Sequence, residues 1–263
     1  PFFPFLMSLF FRLFSHNIIV FYIVNSYLVT IMFHFIFKLF DYKGWLIFIF
    51  LFFPLPAVLF PSYNLFLIFL VVILLYLERN NGNDYLIGFI LGIAILTKQT
   101  VGFFLCLPSL YYLCKDYKKV LRRISSCLVL CLIFLIYLIL TGSFMNFLDL
   151  CLFGMFDFTT GNGRLLSPVF LFSAFLFIFL IYRIIKDKRN IWNYYCLAFF
   201  SIVLPLFDIN HFLYFLFIFI FLFLDDIKIR KKELYLCSIF FTCIYVVLFF
   251  ITNVGFNNIS KSL

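Results

Sequence analysis

The sequence predicts an all-α fold, a polytopic transmembrane helical bundle with about nine or ten hydrophobic spans that include short broken helices. Of the 263 residues, 66% are hydrophobic and only 12% are charged, whereas about 25% of the residues in soluble domains are charged. The mean hydropathy is +1.18, and 46 residues are Phe. This composition excludes a soluble enzyme and a disordered chain, and it predicts a single integral-membrane domain over residues 1–263.

The predicted spans are the apolar segments that contain no Asp, Glu, Lys or Arg. They lie at residues 17–37, 45–60, 62–77, 124–140, 165–182, 191–207, 211–224 and 234–251. The uncharged stretch 44–77 would form roughly 51 Å of helix, which is too long for one crossing of a hydrocarbon core about 30 Å thick. Pro54, Pro56 and Pro61 predict the break that divides this stretch into two spans.

Residues 85–113 allow two interpretations, because Lys98 lies near their centre in the polar sequence LTKQT. Either one span contains a buried Lys, or two short helices meet at Lys98 and form a hairpin. With the hairpin, most of the 20 basic residues fall on one side, and the exceptions are Arg12, Lys98, Arg164 and Lys261. The positive-inside rule therefore favours the hairpin. Residues 113–123, 183–190 and 225–233 are then expected in the cytoplasm, and 141–164 outside.

A helix-packing motif lies on the first half of the hairpin. Gly88 and Gly92 form a GxxxG motif there, which allows close approach of a second helix.

The net charge of +9 does not predict nucleic-acid binding, because the basic residues form short clusters between apolar runs. We interpret the cluster at 115–123 as a determinant of topology and a contact for anionic lipids.

The eight cysteines show neither CxxC pairs nor His at zinc spacing, so neither a metal site nor a disulfide framework is predicted.

Ionisable residues on the predicted outer side form the list of candidate functional residues, because such groups are costly at membrane depth. They are Lys98 in the broken span, Asp149, Asp157 and Arg164 in the segment 141–164, and Asp208 and His211 in the sequence PLFDINHF. Each also has a structural interpretation. Lys98 could extend to the membrane interface, and Arg164 could anchor a span there. Asp149 and Asp157 could be solvated carboxylates, and Asp208 could cap the following helix with His211 as its satisfied partner.

Residues 88–108 read GFILGIAILTKQTVGFFLCLP, a small-residue helix followed by Leu-Thr-Lys and by an apolar helix that ends in Pro. This pattern resembles the membrane-embedded glycosyltransferases of the GT-C superfamily. Within it, the sequence is most similar to the bacterial relatives of the dolichyl-phosphate-mannose protein mannosyltransferases, glycosyltransferase family 39. The opening PFFPFLMSLFFRLFSHN and the segment PLFDINHF are also similar to stretches of that family.

The resemblance implies an enzyme of the bacterial cytoplasmic membrane that moves a hexose or pentose from a polyprenyl-phosphate donor to an acceptor on the outer face. For this reaction, Lys98 and Arg164 suit the donor phosphate by their charge, and His211 is a further candidate for substrate binding. The catalytic residue stays unassigned, and Asp157, Asp208 and Asp149 are weak candidates that could position the acceptor or a divalent metal.

In the glycosyltransferase family, the catalytic carboxylate usually lies in the first large outer loop. That loop would precede Pro1, so we expect the first span and its outer loop to be missing from this sequence.

Two other function classes compete with the transferase. A transporter or flippase of lipid-linked saccharide would also use a broken helix with a Lys near the membrane midplane. A polymerase or ligase of O-antigen type would need a large outer loop rich in Arg and His, and the segment 141–164 is not such a loop.

Overall fold

A computed structural model describes residues 2–14, 18–39, 62–113, 115–149, 168–204 and 209–226 of the chain. Within these ranges every regular element is a helix, which confirms the predicted all-α class. The predicted spans 45–60 and 234–251 lie outside the described residues, as do Asp157, Arg164 and Asp208.

The helices fall close to the predicted spans. In chain order they are α1 (Phe2–Phe14), α2 (Ile18–Leu39), α3 (Tyr63–Arg79), α4 (Asp84–Thr97), α5 (Gln99–Cys106), a 3-10 turn (Leu107–Tyr112), α6 (Tyr117–Leu140), α7 (Phe144–Leu148), α8 (Pro168–Lys186), α9 (Ile191–Phe199), a second 3-10 turn (Phe200–Ile202) and α10 (Ile209–Asp226).

Side-chain caps explain where several helices begin. Ser62 accepts a hydrogen bond from the backbone N–H of Leu65 at 3.2 Å and starts α3. Asp116 accepts one from the N–H of Lys119 at 3.3 Å, so α6 starts at Tyr117, a full two turns before the predicted span 124–140. The charged residues of the first turns of α6 are therefore helical, which the search for uncharged segments did not predict.

A hairpin forms at Lys98, as the distribution of basic residues predicts. Lys98 has extended backbone angles of φ −146° and ψ 104° and separates α4 from α5. The chain then reverses direction. Gly102 of α5 packs so closely against the backbone of Ile95 in α4 that there is no room for a Cβ atom. One straight span through Lys98 is therefore wrong. We call α4, α5 and the first 3-10 turn the hairpin, Lys98 its tip, and Asp84 with Tyr112 its base.

Close packing of α4 against α6 uses the predicted GxxxG motif. A Cβ atom on Gly88 would clash with the backbone oxygen of Arg123, and one on Gly92 would lie 3.1 Å from the Leu130 side chain. Without Cβ atoms at these positions, the two backbones approach closely, and α4 makes its most extensive contacts with α6.

The centre of the bundle is apolar. Leu67 and Val71 of α3 are fully buried, and so are Phe215 and Phe217 of α10. Helix α3 packs against α2, α4, α9 and α10, so it is enclosed on most of its circumference. Helix α3 runs from the hairpin tip, where Tyr63 lies near Lys98, to the hairpin base, where Arg79 lies.

Among the described helices, two are long and apolar enough to cross a membrane, at Tyr117–Leu140 and Val169–Lys186. Only 11% of the most apolar window of the first is buried inside the bundle, and 17% of that of the second. Exposed apolar surface of this extent is unusual in a water-soluble protein and favours association with a membrane. Four further apolar helices are shorter, at Ile23–Leu39, Asp84–Thr97, Ile191–Ile202 and Ile209–Ile220.

The two glycines of the motif give a matched pair of variants. Gly88→Ala should destabilise the fold by about 1–3 kcal/mol, because the new methyl group would meet the Arg123 backbone and force α4 and α6 apart. Gly92→Ala should cost less, because its methyl group would meet the flexible Leu130 side chain at 3.1 Å and the Cys127 backbone oxygen only at 3.3 Å. Thermal unfolding of the purified variants in detergent measures the difference. Equal losses of stability would contradict the close contact at Gly88.

Topology gives a second prediction. Helix α6 is long enough to separate the two sides of a membrane, so reporter fusions at Lys119 and Gly142 should report opposite sides, with Lys119 cytoplasmic. An identical result at both positions would show that α6 does not cross the membrane.

Candidate functional site

Lys98 occupies the tip of the hairpin, between two helices. Its side chain is half-buried, and its ammonium nitrogen lies 5.7 Å from the centroid of the Tyr63 ring, within the range of a cation–π interaction. The sequence places this charge in a polar segment, and the structure brings it to the end of the bundle where α3 begins.

The N-terminus of α5 adds hydrogen-bond donors beside this charge. Lys98 stands at the N-cap position of α5 and makes no side-chain capping bond there. The next side chain, Gln99, has a buried amide nitrogen that lacks a hydrogen-bond partner in the described part of the chain. An ammonium group, a helix N-terminus and an unused amide N–H together favour binding of an anion such as a phosphate.

His211 lies at the same end of the bundle as Lys98. Its ring contacts Tyr214, with centroids 6.4 Å apart, and the Tyr214 hydroxyl lies 3.5 Å from the Ser62 hydroxyl. Because Ser62 precedes Tyr63, these contacts connect α10 to the helix end that Lys98 approaches. The side-chain oxygen of Asn64, one residue further, is buried without a hydrogen-bond partner among the described residues.

The predicted carboxylates are less informative. Asp149 directly follows α7 and is exposed, near the end of α6 that lies on the tip side of the bundle. Asp157, Asp208 and Arg164 lie outside the described residues, so their candidate roles stay predictions. In the described ranges, no group of three or more His, Cys, Asp or Glu side chains could hold a metal ion.

A second polar cluster lies at the base of the hairpin. Arg123 of α6 donates from Nη1 to Oε1 of Glu78 at 2.6 Å and from Nη2 to Oε2 at 3.3 Å, a two-pronged ion pair. Its Nε donates to Oδ1 of Asp84 at 3.1 Å. The Arg123 and Glu78 side chains are each only 2% exposed, so this pair is isolated from water.

Two tyrosines complete the cluster around the Glu78 carboxylate. The Tyr112 hydroxyl donates to Oε2 of Glu78 at 3.0 Å, and the Tyr195 hydroxyl donates to Oε1 at 2.9 Å. Tyr112 lies on the 3-10 turn, and its phenol acts as a hydrogen-bond donor to the buried carboxylate. The Arg123 guanidinium also lies over the Tyr112 ring, 4.7 Å from its centroid.

Arg122 makes the cluster electrically balanced. Its Nη2 lies 2.9 Å from Oδ2 of Asp84, and its side chain is 39% exposed. Two guanidinium groups therefore face two carboxylates. We refer to Glu78, Asp84, Tyr112, Arg122, Arg123 and Tyr195 as the base cluster. Such an arrangement fixes the geometry of a helix junction, because each buried charge has its partner.

The base cluster does not follow from the sequence interpretation of residues 115–123, which places Arg123 at a lipid-facing or cytoplasmic surface. Arg123 is instead one of the largest fully buried side chains. A signal was present, because Glu78 and Asp84 flank the turn sequence RNNGN while two adjacent arginines follow the hairpin. An acidic pair at the same predicted membrane side as an arginine pair indicates a possible internal ion-pair network.

Comparison of the chain with known protein families, with characterised proteins and with solved structures finds no match. The candidate sites therefore depend on the contacts described above.

The base cluster gives a stability prediction with an internal control. Arg123→Met should destabilise the protein by about 3–5 kcal/mol, because Glu78 would stay buried without its cation. Arg122→Met removes the neighbouring, partly exposed pair and should cost about 1 kcal/mol or less. Unfolding in detergent with increasing dodecyl sulfate measures both changes.

The double variant Glu78→Gln with Arg123→Met should recover part of the loss. It removes both charges of the pair, and the Gln oxygen can still accept from Tyr112 or Tyr195. A double variant that is less stable than Arg123→Met alone would contradict the view that the isolated charge is the cause.

Proposed function

We propose that the protein is a membrane-embedded glycosyltransferase that moves a sugar from a polyprenyl-phosphate donor to an acceptor at the outer face of a bacterial cytoplasmic membrane. The proposal includes a bundle of about nine or ten spans, of which the short broken helices of the hairpin form part. The observation that carries it is the arrangement of the hairpin tip, where Lys98, the N-terminus of α5 and the Gln99 amide, which has no partner among the described residues, occur together.

The tip is suited to the phosphate of the donor for three physical reasons. The Lys98 ammonium balances the negative charge, the helix N-terminus adds a favourable dipole, and the Gln99 amide offers a donor that lacks a described partner. The resemblance of residues 88–108 to family 39 glycosyltransferases supports the same assignment. Arg164 and His211 are proposed as further substrate contacts, and His211 lies at the same end of the bundle as the tip.

The reaction requires little more of this site than charge stabilisation. The acceptor hydroxyl attacks the anomeric carbon, the bond from that carbon to the phosphate oxygen breaks, and the polyprenyl phosphate leaves. A cation beside the leaving phosphate stabilises the charge that develops there. A carboxylate must take the hydroxyl proton, and Asp157, Asp208 and Asp149 remain the proposed candidates for this task or for positioning the acceptor or a divalent metal.

The test is sugar transfer by the purified protein in lipid vesicles. Polyprenyl-phosphate mannose and polyprenyl-phosphate glucose serve as probes, and release of polyprenyl phosphate is measured. Lys98→Met should reduce the turnover at least a hundredfold, since it removes the ammonium group from the tip and leaves the length of the side chain similar. Lys188→Met is the matched control, because Lys188 is exposed on the loop between α8 and α9 and should keep full activity.

The same vesicles distinguish the alternative function. Movement of a fluorescent polyprenyl-phosphate sugar across the bilayer without sugar transfer would establish the transporter or flippase and overturn the transferase. Full activity of Lys98→Met would overturn the role of the tip.

A further inference from the structure

A groove runs along the junction of α4 and α6, on the outside of the bundle. Its volume is about 300 Å³, and its walls include Phe89 of α4 and Val129 and Ile133 of α6. At its end nearer the hairpin base, Ser125 and Ser126 contribute to the lining. The groove is therefore apolar along its length and has hydroxyl groups only at one end.

Both serine hydroxyls that line the groove are already bonded within the protein. Ser126 donates to the backbone oxygen of Tyr85 at 2.7 Å, and Ser125 donates to the backbone oxygen of Arg122 at 3.0 Å. A hydrocarbon chain can lie against these serines without leaving their hydroxyl donors unbonded.

Positive charge stands at the same end of the groove. Lys118, Arg122 and Ser125 follow one another at spacings of four and three residues, so they lie on one face of α6, in line with Val129. Lys118 is exposed. Arg122 is 39% exposed although it also pairs with Asp84. A headgroup placed over this end would meet two cations one turn apart.

We infer that the α4–α6 groove binds an anionic phospholipid, with its phosphate between Lys118 and Arg122 and one acyl chain along Phe89, Val129 and Ile133. The exposed apolar face of α6, on which the groove opens, favours a lipid over a water-soluble partner. The cationic end lies at the hairpin base, the end that the distribution of basic residues places in the cytoplasm, where anionic lipid headgroups attract Lys and Arg. This inference does not depend on the proposed transferase activity.

The test counts lipids that stay bound to the protein. Purified protein is reconstituted in nanodiscs of phosphatidylcholine with phosphatidylglycerol, transferred to mild detergent, and analysed by native mass spectrometry. Wild-type protein should retain phosphatidylglycerol in preference to phosphatidylcholine. Lys118→Gln on α6 should lower the retained phosphatidylglycerol several-fold. Lys188 is an exposed lysine on the loop between α8 and α9, so Lys188→Gln should leave the retained amount unchanged.

A second pair of variants tests the acyl chain. Val129→Trp fills the groove and should displace the lipid, whereas Leu132→Trp adds the same ring at an exposed position that does not line the groove and should have no effect. Both are substitutions on the surface of α6, so thermal unfolding should show that the fold is kept.

Three results would overturn the inference. Equal retention of phosphatidylcholine would exclude recognition of the headgroup charge. Equal losses for Lys118→Gln and Lys188→Gln would show that the charge acts diffusely over the whole surface. Release of the lipid by millimolar inorganic phosphate, with no effect of Val129→Trp, would show a phosphate site in which the groove has no part.

Discussion

The buried ion pair between Arg123 and Glu78 is the interaction on which the described structure depends. Two charges removed from water are stable only if each finds its partner and the remaining hydrogen-bonding atoms are satisfied. Here Asp84, Tyr112 and Tyr195 supply those bonds. Arg123, Glu78 and these three partners come from α3, α4, α6, α9 and the 3-10 turn, so the ion pair joins five elements at one junction. Both arms of the helical hairpin end at this junction.

This junction makes the short hairpin possible. Helix α4 would extend roughly 21 Å, less than the thickness of a hydrocarbon core of about 30 Å, so its end needs protein rather than lipid around it. The closure at the base and the contact of Gly88 with the Arg123 backbone hold α4 against α6. At the tip, the Gln99 amide nitrogen lacks a hydrogen-bond partner among the described residues, whereas the Glu78 and Arg123 side chains are bonded within the base cluster.

The sequence predicts the parts of this arrangement that depend on local chemistry. Lys98 within a polar segment, and the small residues Gly88 and Gly92, indicate a break and a close helix contact, and both are present. The burial of Arg123 is a long-range result, because Glu78 lies 45 positions away along the chain. Counting basic residues treats Arg123 like Lys118, although one is buried and the other exposed. The difference in their burial arises from the packing of α4 against both α3 and α6, which brings Glu78 to Arg123.

Adjacent positions on α6 therefore have different physical roles. Successive residues of a helix point about 100° apart, so Arg123 turns toward Glu78 inside the bundle while Arg122 reaches the surface beside Asp84. The two carboxylates balance the two guanidinium groups, and the excess positive charge of this region comes from its lysines. Lysine heads at a membrane surface stay hydrated and attract anionic lipids without fixed geometry. The groove beside Arg122 lies at one fixed place along the α4–α6 junction, so the acyl chain that we propose for it would add the geometry that the lysines lack.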